Sequence, residues 1–253
     1  MLAQWIAEGA SWSEHWAYLP PRQHELPKVK QTGWPANWID SFTLRHFEEN
    51  EQGPAPDADP VSLVRRLHFD LIGLPPEPKV VEAFAANPSP KAYEALVDQL
   101  LASEHHGERM ASYWLDLVRF ADTVGYHGDQ DHSITPYRDW VIDSFNDGLP
   151  FDQFTREQLA GDLLPKPTTD QTIATGYNRL LQTSHEGGVQ PKEYIAMYAA
   201  DRVRNVSEVW MGATMGCSQC HDHKYDPYVT KDFYAMAAFF ADVDDTAHLK
   251  NGS

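Results

Sequence analysis

The sequence contains no long hydrophobic run and few basic residues. No window approaches the roughly eighteen consecutive apolar residues of a membrane-spanning helix, so we expect no transmembrane segment. Lysine and arginine number 20 against 37 acidic residues, which gives a formal net charge of −17 at pH 7. This charge opposes nonspecific binding to nucleic acid and to anionic lipid surfaces. We therefore expect no nucleic-acid partner, and a protein partner that is basic or neutral.

Strict alternation of apolar and polar residues, the pattern typical of strands, is also hard to find. The periodicity is helical wherever it is clear, and 42% hydrophobic residues over 253 positions are ample for a packed core. No internal repeat or low-complexity segment occurs. The sequence thus predicts a mostly α fold, an irregular multi-helix domain with long loops.

Capping residues mark several helix boundaries. Asp59 and Pro60 stand where an N-cap and a first-turn proline belong, and Gly73 ends the helix that follows. Ser89 and Pro90 repeat the start signal. Beyond them, apolar residues at helical spacing predict a core-facing stripe. Its members are Tyr93, Leu96, Val97, Leu100, Leu101, Met110, Trp114, Leu117, Val118 and Ala121. Later helices are predicted over residues 136–145, 151–164, 169–181, 191–215 and 231–242, with Thr230 as the cap of the last.

Two stretches have weak periodicity. The first, rich in Trp, Pro and His, covers residues 11–56, so we interpret 1–56 as an N-terminal arm or linker remnant and 57–253 as the helical domain. The second is residues 125–135, which we interpret as a candidate active-site or ligand loop, with a solvated acidic turn as the alternative. Its polar residues are His127, Asp129, Asp131 and His132.

The only two cysteines form one motif, C-x-x-C-H, at Cys217, Cys220 and His221. This is the signature of covalent haem attachment. Two thiols one turn apart can add to the two vinyl groups of one porphyrin, and the next residue places its imidazole under the iron. Haem c is therefore the cofactor that the motif favours, held by a C-x-x-C-H attachment loop.

Two other interpretations of the motif remain open. A thioredoxin-like dithiol would follow a strand inside a βαβ pattern, whereas the run 201–215 looks helical. A zinc or iron site drawn from Cys217, Cys220, His221 and His223 would place all four ligands within seven positions. Metal motifs usually separate two ligand pairs by a dozen or more residues.

The sixth iron ligand has to come from outside the motif. Met215 and His223 lie within two residues of it and do not easily reach the opposite haem face. A histidine at that position favours a lower potential and a methionine a higher one. We favour His185 among the donors elsewhere in the chain, which are His127, His132, His185 and Met236.

The residues around the motif are dense in charges and donors. Lys224, with Arg202 and Arg204 on the preceding helix, is predicted to balance the haem propionates. Asp222 or Asp226 is expected to accept the second ring proton of a histidine. The alternative is an ordinary capped loop. The predicted site comprises Cys217, Cys220, His221, His185, Lys224, Arg202 and Arg204 for the cofactor, with His221, His185 and His223 as metal ligands.

Five separated motifs occur in an order that resembles the planctomycete-type cytochrome c family. They are residues 59–76, 136–141 (PYRDWV), 157–165 (EQLAGDLLP), 185–188 (HEGG) and 216–227, and the resemblance covers about residues 57–245. It implies haem c binding and redox work outside the cytoplasm, in proteins often linked to polysaccharide breakdown. In that family the domain lies between an upstream small cytochrome module and a downstream helical domain.

The start of the chain resembles the last helix of that upstream module and lacks the basic and apolar regions of a signal peptide. We therefore expect a piece of a longer, exported protein. Its most favoured function is a haem c electron-transfer module whose partner is a redox protein or a neighbouring cytochrome module. The alternatives are a scaffold without haem, and a metal-dependent enzyme, for example a hydrolase, in which the Cys/His cluster holds zinc or iron and Glu186 or Asp226 is the general base.

Overall fold

The computed structural model describes residues 1–11, 15–126, 128–184 and 190–245. Over these ranges the protein is mostly α-helical, as predicted, and its only β pairing is an isolated bridge between Thr123 and Asp131. None of the described helices is both long and apolar enough to cross a membrane. The helices are α1 Leu2–Ala7, α2 Trp38–Glu49, α3 Pro60–Leu71, α4 Pro78–Ala86, α5 Pro90–Leu101, α6 Glu104–Leu117, α7 Thr135–Asn146, α8 Phe151–Ala160, α9 Thr169–Ala174, α10 Pro191–Met211 and α11 Thr230–Ala238.

The chain divides into two compact units, Met1–Ala58 and Asp59–Ser253. The first unit contains α2, which corrects the expectation of weak structure throughout residues 11–56. Asn37 accepts the backbone NH of Asp40 at 3.2 Å, and the Asp40 carboxylate accepts the NH of Asn37, also at 3.2 Å. This reciprocal capping box starts the helix.

In the second unit, α3 and α5 begin where the capping residues predict. Asp59 accepts the backbone NH of Ser62 at 3.0 Å and its hydroxyl at 2.6 Å, and these hydrogen bonds hold the pKa of Asp59 below its usual value. Ser89 accepts the NH of Ala92 at 3.2 Å. The three helices α3, α4 and α5 share a small core of Val64, Phe84, Leu96 and Leu100.

The main core of this unit is aromatic and is organised by one buried amide. Gln158 on α8 accepts hydrogen bonds from the Trp114 indole at 2.9 Å and the Tyr137 hydroxyl at 2.6 Å, and it donates to the Phe154 carbonyl at 3.1 Å. Burial raises the pKa of Tyr137. The packing role predicted for Trp114 is thus confirmed, and Gln158 links α6, α7 and α8. The same prediction is wrong for Leu101 and Leu117, which are 45% and 54% exposed.

The end of α10 decides where the motif lies. The sequence predicts this helix to residue 215, but it ends at Met211 because Gly212 adopts a left-handed conformation with φ of 58°. The NH of Ala213 then bonds to the Ser207 carbonyl at 2.9 Å, which closes the helix end. The chain turns into a short 3₁₀ helix, Met215–Gln219, which carries the first cysteine.

This 3₁₀ helix is fixed between α10 and α11. Met215 is buried in a cluster with Ala200 and Val203 of α10 and Phe233 of α11. Met236 is partly buried against the same cluster. The motif therefore stands on a packed apolar base rather than on a free loop.

Candidate cofactor site

Both motif cysteines are free and exposed. Cys217 lies in the 3₁₀ helix and Cys220 is its C-cap residue. A 3₁₀ helix has three residues per turn, so side chains three positions apart are eclipsed. Ser218, between them, is fully buried. The two thiols consequently share the outward side of one turn.

His221 follows with its ring held by the backbone. Its Nδ1 lies 2.8 Å from the carbonyl oxygen of Asp222. Because a carbonyl oxygen only accepts hydrogen bonds, Nδ1 carries a proton. In the neutral ring, Nε2 then keeps its lone pair, which is the usual state of an imidazole that binds a metal. The prediction named the carboxylate of Asp222 or Asp226 as a histidine's partner. At His221 the Asp222 carbonyl takes this role, and the Asp226 carboxylate lies 3.5 Å from Nδ1 of His223.

His223 has the opposite arrangement, and its side chain is only 7% exposed. Its Nδ1 accepts the backbone NH groups of Asp226 at 2.8 Å and Tyr225 at 3.2 Å. The proton of the neutral ring is therefore on Nε2, which lies 3.1 Å from the Thr214 hydroxyl. Both nitrogens are engaged, so His223 would have to leave these partners to act as the predicted metal ligand.

The chain after the motif is tied back to it and to α11. Tyr228 offers its carbonyl oxygen to the Ser218 hydroxyl at 3.2 Å and to the His223 NH at 2.8 Å. The Asp222 carboxylate accepts the NH of Thr230 at 2.9 Å. The helix thus starts at Thr230, one residue before the predicted position, and is capped by Asp222 rather than by the Thr230 side chain. Sequence reasoning missed Tyr228, which has no signal because it acts through its backbone.

Of the three basic residues predicted for the propionates, Arg202 requires a correction. It is only 4% exposed and forms a two-pronged ion pair with Asp245, with N···O distances of 2.9 and 2.6 Å. Its Nε donates to the Asn178 carbonyl at 3.0 Å. Arg202 therefore holds the fold together and is not presented to a ligand.

Arg204 and Lys224 lie at the motif. Arg204 donates to the side chain of Gln219, inside the C-x-x-C string, and packs so closely over Gly216 that a Cβ there would be 3.1 Å from Arg204 Cγ. Lys224 is exposed, with its ammonium 5.1 Å from the Tyr225 ring centroid. These two side chains supply positive charge next to the cysteines.

A cavity of about 260 Å³ adjoins the motif. Gln219 and Arg204 line it on the motif side, and Tyr126, Tyr194 and Tyr198 provide aromatic walls. Tyr126 belongs to the loop predicted as a ligand loop. The structure therefore brings that loop and the C-x-x-C-H motif to one cavity.

Two of the four predicted sixth ligands, His132 and Met236, belong to the described residues. His132 lines a separate cavity of about 240 Å³ together with Arg119 and Arg179. Met236 packs in the core. His127, His185 and Glu186 lie outside the described residues. Within the described ranges, no group of three or more His, Cys, Asp and Glu side chains is arranged to hold a metal ion.

A family model matches residues 38–245, from the start of α2 to the partner of Arg202. The chain belongs to the PSCyt2 family, described as a protein of unknown function (DUF1549). The PSCyt2 match includes the whole motif and the loop that follows it. Its description names no reaction and no cofactor. No curated protein and no solved structure matches the chain.

Proposed function

We propose that this PSCyt2 domain is a haem c-binding electron-transfer module. One observation carries the proposal: two free, exposed thiols share one 3₁₀ turn, and the next residue is a histidine whose Nε2 is left available by the Asp222 carbonyl. Cys217, Cys220 and His221 fit a covalently attached haem. Its attachment requires two reactive thiols on one side and an imidazole with a free nitrogen, and none of the three is committed to another side chain.

Each residue has a defined task in this proposal. Cys217 and Cys220 would add S–H across one vinyl group each, so that two thioether bonds form and no oxidant is consumed. His221 would provide Nε2 as the iron ligand. A bound haem supplies an iron that changes oxidation state by one electron. Arg204 and Lys224 provide positive charge for carboxylates in a chain whose net charge is −17.

The sixth position decides between electron transfer and ligand chemistry. A filled position restricts the haem to passing electrons, whereas an open one admits peroxide or another small ligand. His185 remains our predicted distal ligand. The described residue before it, Ser184, donates its NH to the Tyr198 hydroxyl at 3.1 Å, and Tyr198 lines the cavity that Gln219 also lines.

Location and partners follow from the same chemistry. The machinery that attaches haem c normally works outside the cytoplasmic membrane, so we propose an exported, extracytoplasmic protein. The resemblance to planctomycete-type cytochromes supports a multidomain redox protein of the kind linked to polysaccharide breakdown. Its electron partner would be a neighbouring cytochrome module or a separate redox protein.

The proposal is tested by expressing the chain with an export signal and the c-type maturation machinery. We expect a c-type pyridine haemochrome spectrum and an intact mass increased by one haem. The double variant Cys217→Ser, Cys220→Ser should lose both signals. Ser218→Ala is a suitable control because it alters the same turn and leaves both thiols.

A further variant examines the axial ligand. His221→Ala should keep the covalent link, because both thioethers remain, and should shift the visible spectrum, because the ligand is gone. An unchanged spectrum would remove His221 from this role. Colourless wild-type protein that contains zinc or iron by elemental analysis would overturn the haem proposal and favour the metal-dependent enzyme.

A further inference from the structure

We propose that His223 is a positioning residue: its ring joins Thr214, before the motif, to the turn at Tyr225 and Asp226, after it, and so fixes the loop that presents both cysteines and His221. The inference rests on the proposed haem attachment for its consequence. Its structural part stands on hydrogen bonds that exist without the cofactor.

The first support is the use of both ring nitrogens. Nδ1 accepts from the backbone NH groups of Tyr225 and Asp226, and Nε2 faces the Thr214 hydroxyl. Thr214 and Asp226 are twelve positions apart in sequence, with the whole motif between them. The His223 ring thus connects the two ends of the loop that carries the motif.

The second support is burial. The His223 side chain is 7% exposed, although Cys217, Cys220 and His221 close by are exposed. The Asp226 NH that the ring accepts is partly buried, and a shielded NH that loses its acceptor carries a desolvation cost, whereas the Tyr225 bond is exposed. The ring therefore supplies a partner that the turn at 225–226 requires.

The third support is that further bonds close the same loop. The His223 NH and the Ser218 hydroxyl both donate to the Tyr228 carbonyl. Asp222, between the two histidines, caps α11. With His223 in place the loop is ordered before any cofactor binds. Haem attachment therefore does not have to offset the conformational entropy lost when the loop is ordered. Without the ring the loop would keep these bonds but lose the link from Thr214 to the turn at 225–226, so the two thiols and His221 would be less restricted.

The first experiment uses the protein without haem. Long-range ¹H–¹⁵N spectra of the histidine rings report which nitrogen is protonated. We expect the Nε2–H tautomer for His223 and the Nδ1–H tautomer for His221, with slow hydrogen exchange of the Asp226 amide. A Nδ1–H tautomer at His223, or fast exchange at Asp226, would overturn the assignment whether or not haem binds.

The second experiment measures covalent haem per chain by intact mass after maturation. His223→Ala should lower the attached fraction about fivefold, the factor that corresponds to a net loss of about 1 kcal/mol for one such hydrogen bond. His223→Asn should recover part of it, because its amide oxygen lies near the Nδ1 position and accepts from the same NH groups. The reduction potential of the attached fraction should also shift, because His221 is held less firmly.

The matched control is His68→Asn, which alters another buried histidine, whose Nδ1 lies 3.0 Å from the Val64 carbonyl in α3. It should leave haem attachment unchanged. Full attachment in His223→Ala would refute the positioning role, as would equal losses in the His68 variant. If His223→Ala does not fold by circular dichroism, the His223→Asn result decides. Absence of haem from the wild type, with the predicted tautomers observed, would refute the proposed function and leave the loop assignment intact.

Discussion

At the residue scale, the two histidines of the motif loop differ in burial and in what the backbone offers to Nδ1. A carbonyl oxygen faces Nδ1 of His221, whereas two NH groups face Nδ1 of His223. The first arrangement protonates Nδ1 and leaves Nε2 open to solvent. The second leaves Nδ1 of His223 unprotonated, so the proton is on Nε2, which faces the Thr214 hydroxyl. Residue type and spacing made both histidines candidate ligands, but the backbone partners give only one of them a free nitrogen.

Arg202 shows the same dependence on partners, and its pair with Asp245 carries a stability prediction. Both side chains are buried, at 4% and 8% exposure. Asp245→Ala would leave the guanidinium buried without a counter-charge. We expect the free energy of unfolding to fall by about 3–5 kcal/mol, measured by urea denaturation.

Asp152→Ala provides the comparison. Its pair with Arg156 is a single contact of 2.9 Å, and the side chains of Arg156 and Asp152 are 60% and 74% exposed. Removing an exposed pair of this kind should cost at most about 0.5 kcal/mol. Equal effects of the two variants would contradict the buried role of Arg202 and reopen its assignment to a ligand.

At the scale of elements, helix types and starts were more predictable than helix ends. Asp59 and Ser89 predict the starts of α3 and α5 correctly because an N-cap side chain bonds to an NH only three residues away. The end of α10 was predicted four residues late, since an apolar pattern continues through Met215 while Gly212 reverses the backbone. The helix α2 was missed among prolines and tryptophans, although Asn37 and Asp40 form its capping box.

The candidate site likewise combines features that depend on neighbouring residues with features that depend on residues distant in sequence. The placement of Cys217, Cys220 and His221 at one short turn is local, so it could be predicted from their spacing, and their chemistry stays a prediction. The role of His223 depends on Thr214, and that of Arg202 on Asp245, 43 positions away. No sequence pattern links such pairs, because tertiary closure alone brings them together.

The crossing of α6 and α7 depends on a glycine. A Cβ at Gly107 would lie 2.5 Å from the Ile142 carbonyl oxygen, and the Gly107 NH donates to the Asn146 side chain at 2.8 Å. The helices cannot approach in this way with any other residue. Gly107→Ala should lower the free energy of unfolding by about 1–3 kcal/mol despite the better helix propensity of alanine.

The control for this variant is Gly53→Ala. A Cβ at Gly53 would have no atom within 4 Å, so thermal unfolding of that variant should match the wild type. A Gly107→Ala protein as stable as the wild type would show that α6 and α7 separate at little cost. The close crossing would then not be what holds the aromatic core of Trp114 and Tyr137 together.

At the scale of the whole molecule, charge is the dominant property. An excess of 17 negative charges produces an electric field that repels anions. Far from the surface this field depends on the net charge rather than on the position of any one side chain. Arg204 and Lys224 act against this field only close to the motif. Ionic strength distinguishes the long-range field of the net charge from the local field of Arg204 and Lys224. Added salt screens the long-range field first, because the Debye length falls from about 30 Å at 0.01 M to about 3 Å at 1 M.

On the proposed function, this field predicts how the haem-loaded protein would exchange electrons with small oxidants of either charge. The ferrous protein would give one electron to tris(phenanthroline)cobalt(III), a cation, or to ferricyanide, an anion. In stopped-flow measurements the rate constant with the cation should fall as ionic strength rises, and that with the anion should rise, each by about tenfold or more. The opposite pattern would mean that Arg204 and Lys224 control the approach to the motif, and a physiological electron partner would then present an acidic surface. With the expected pattern, the partner is basic, and its association weakens with salt in the same way as that of the cobalt complex.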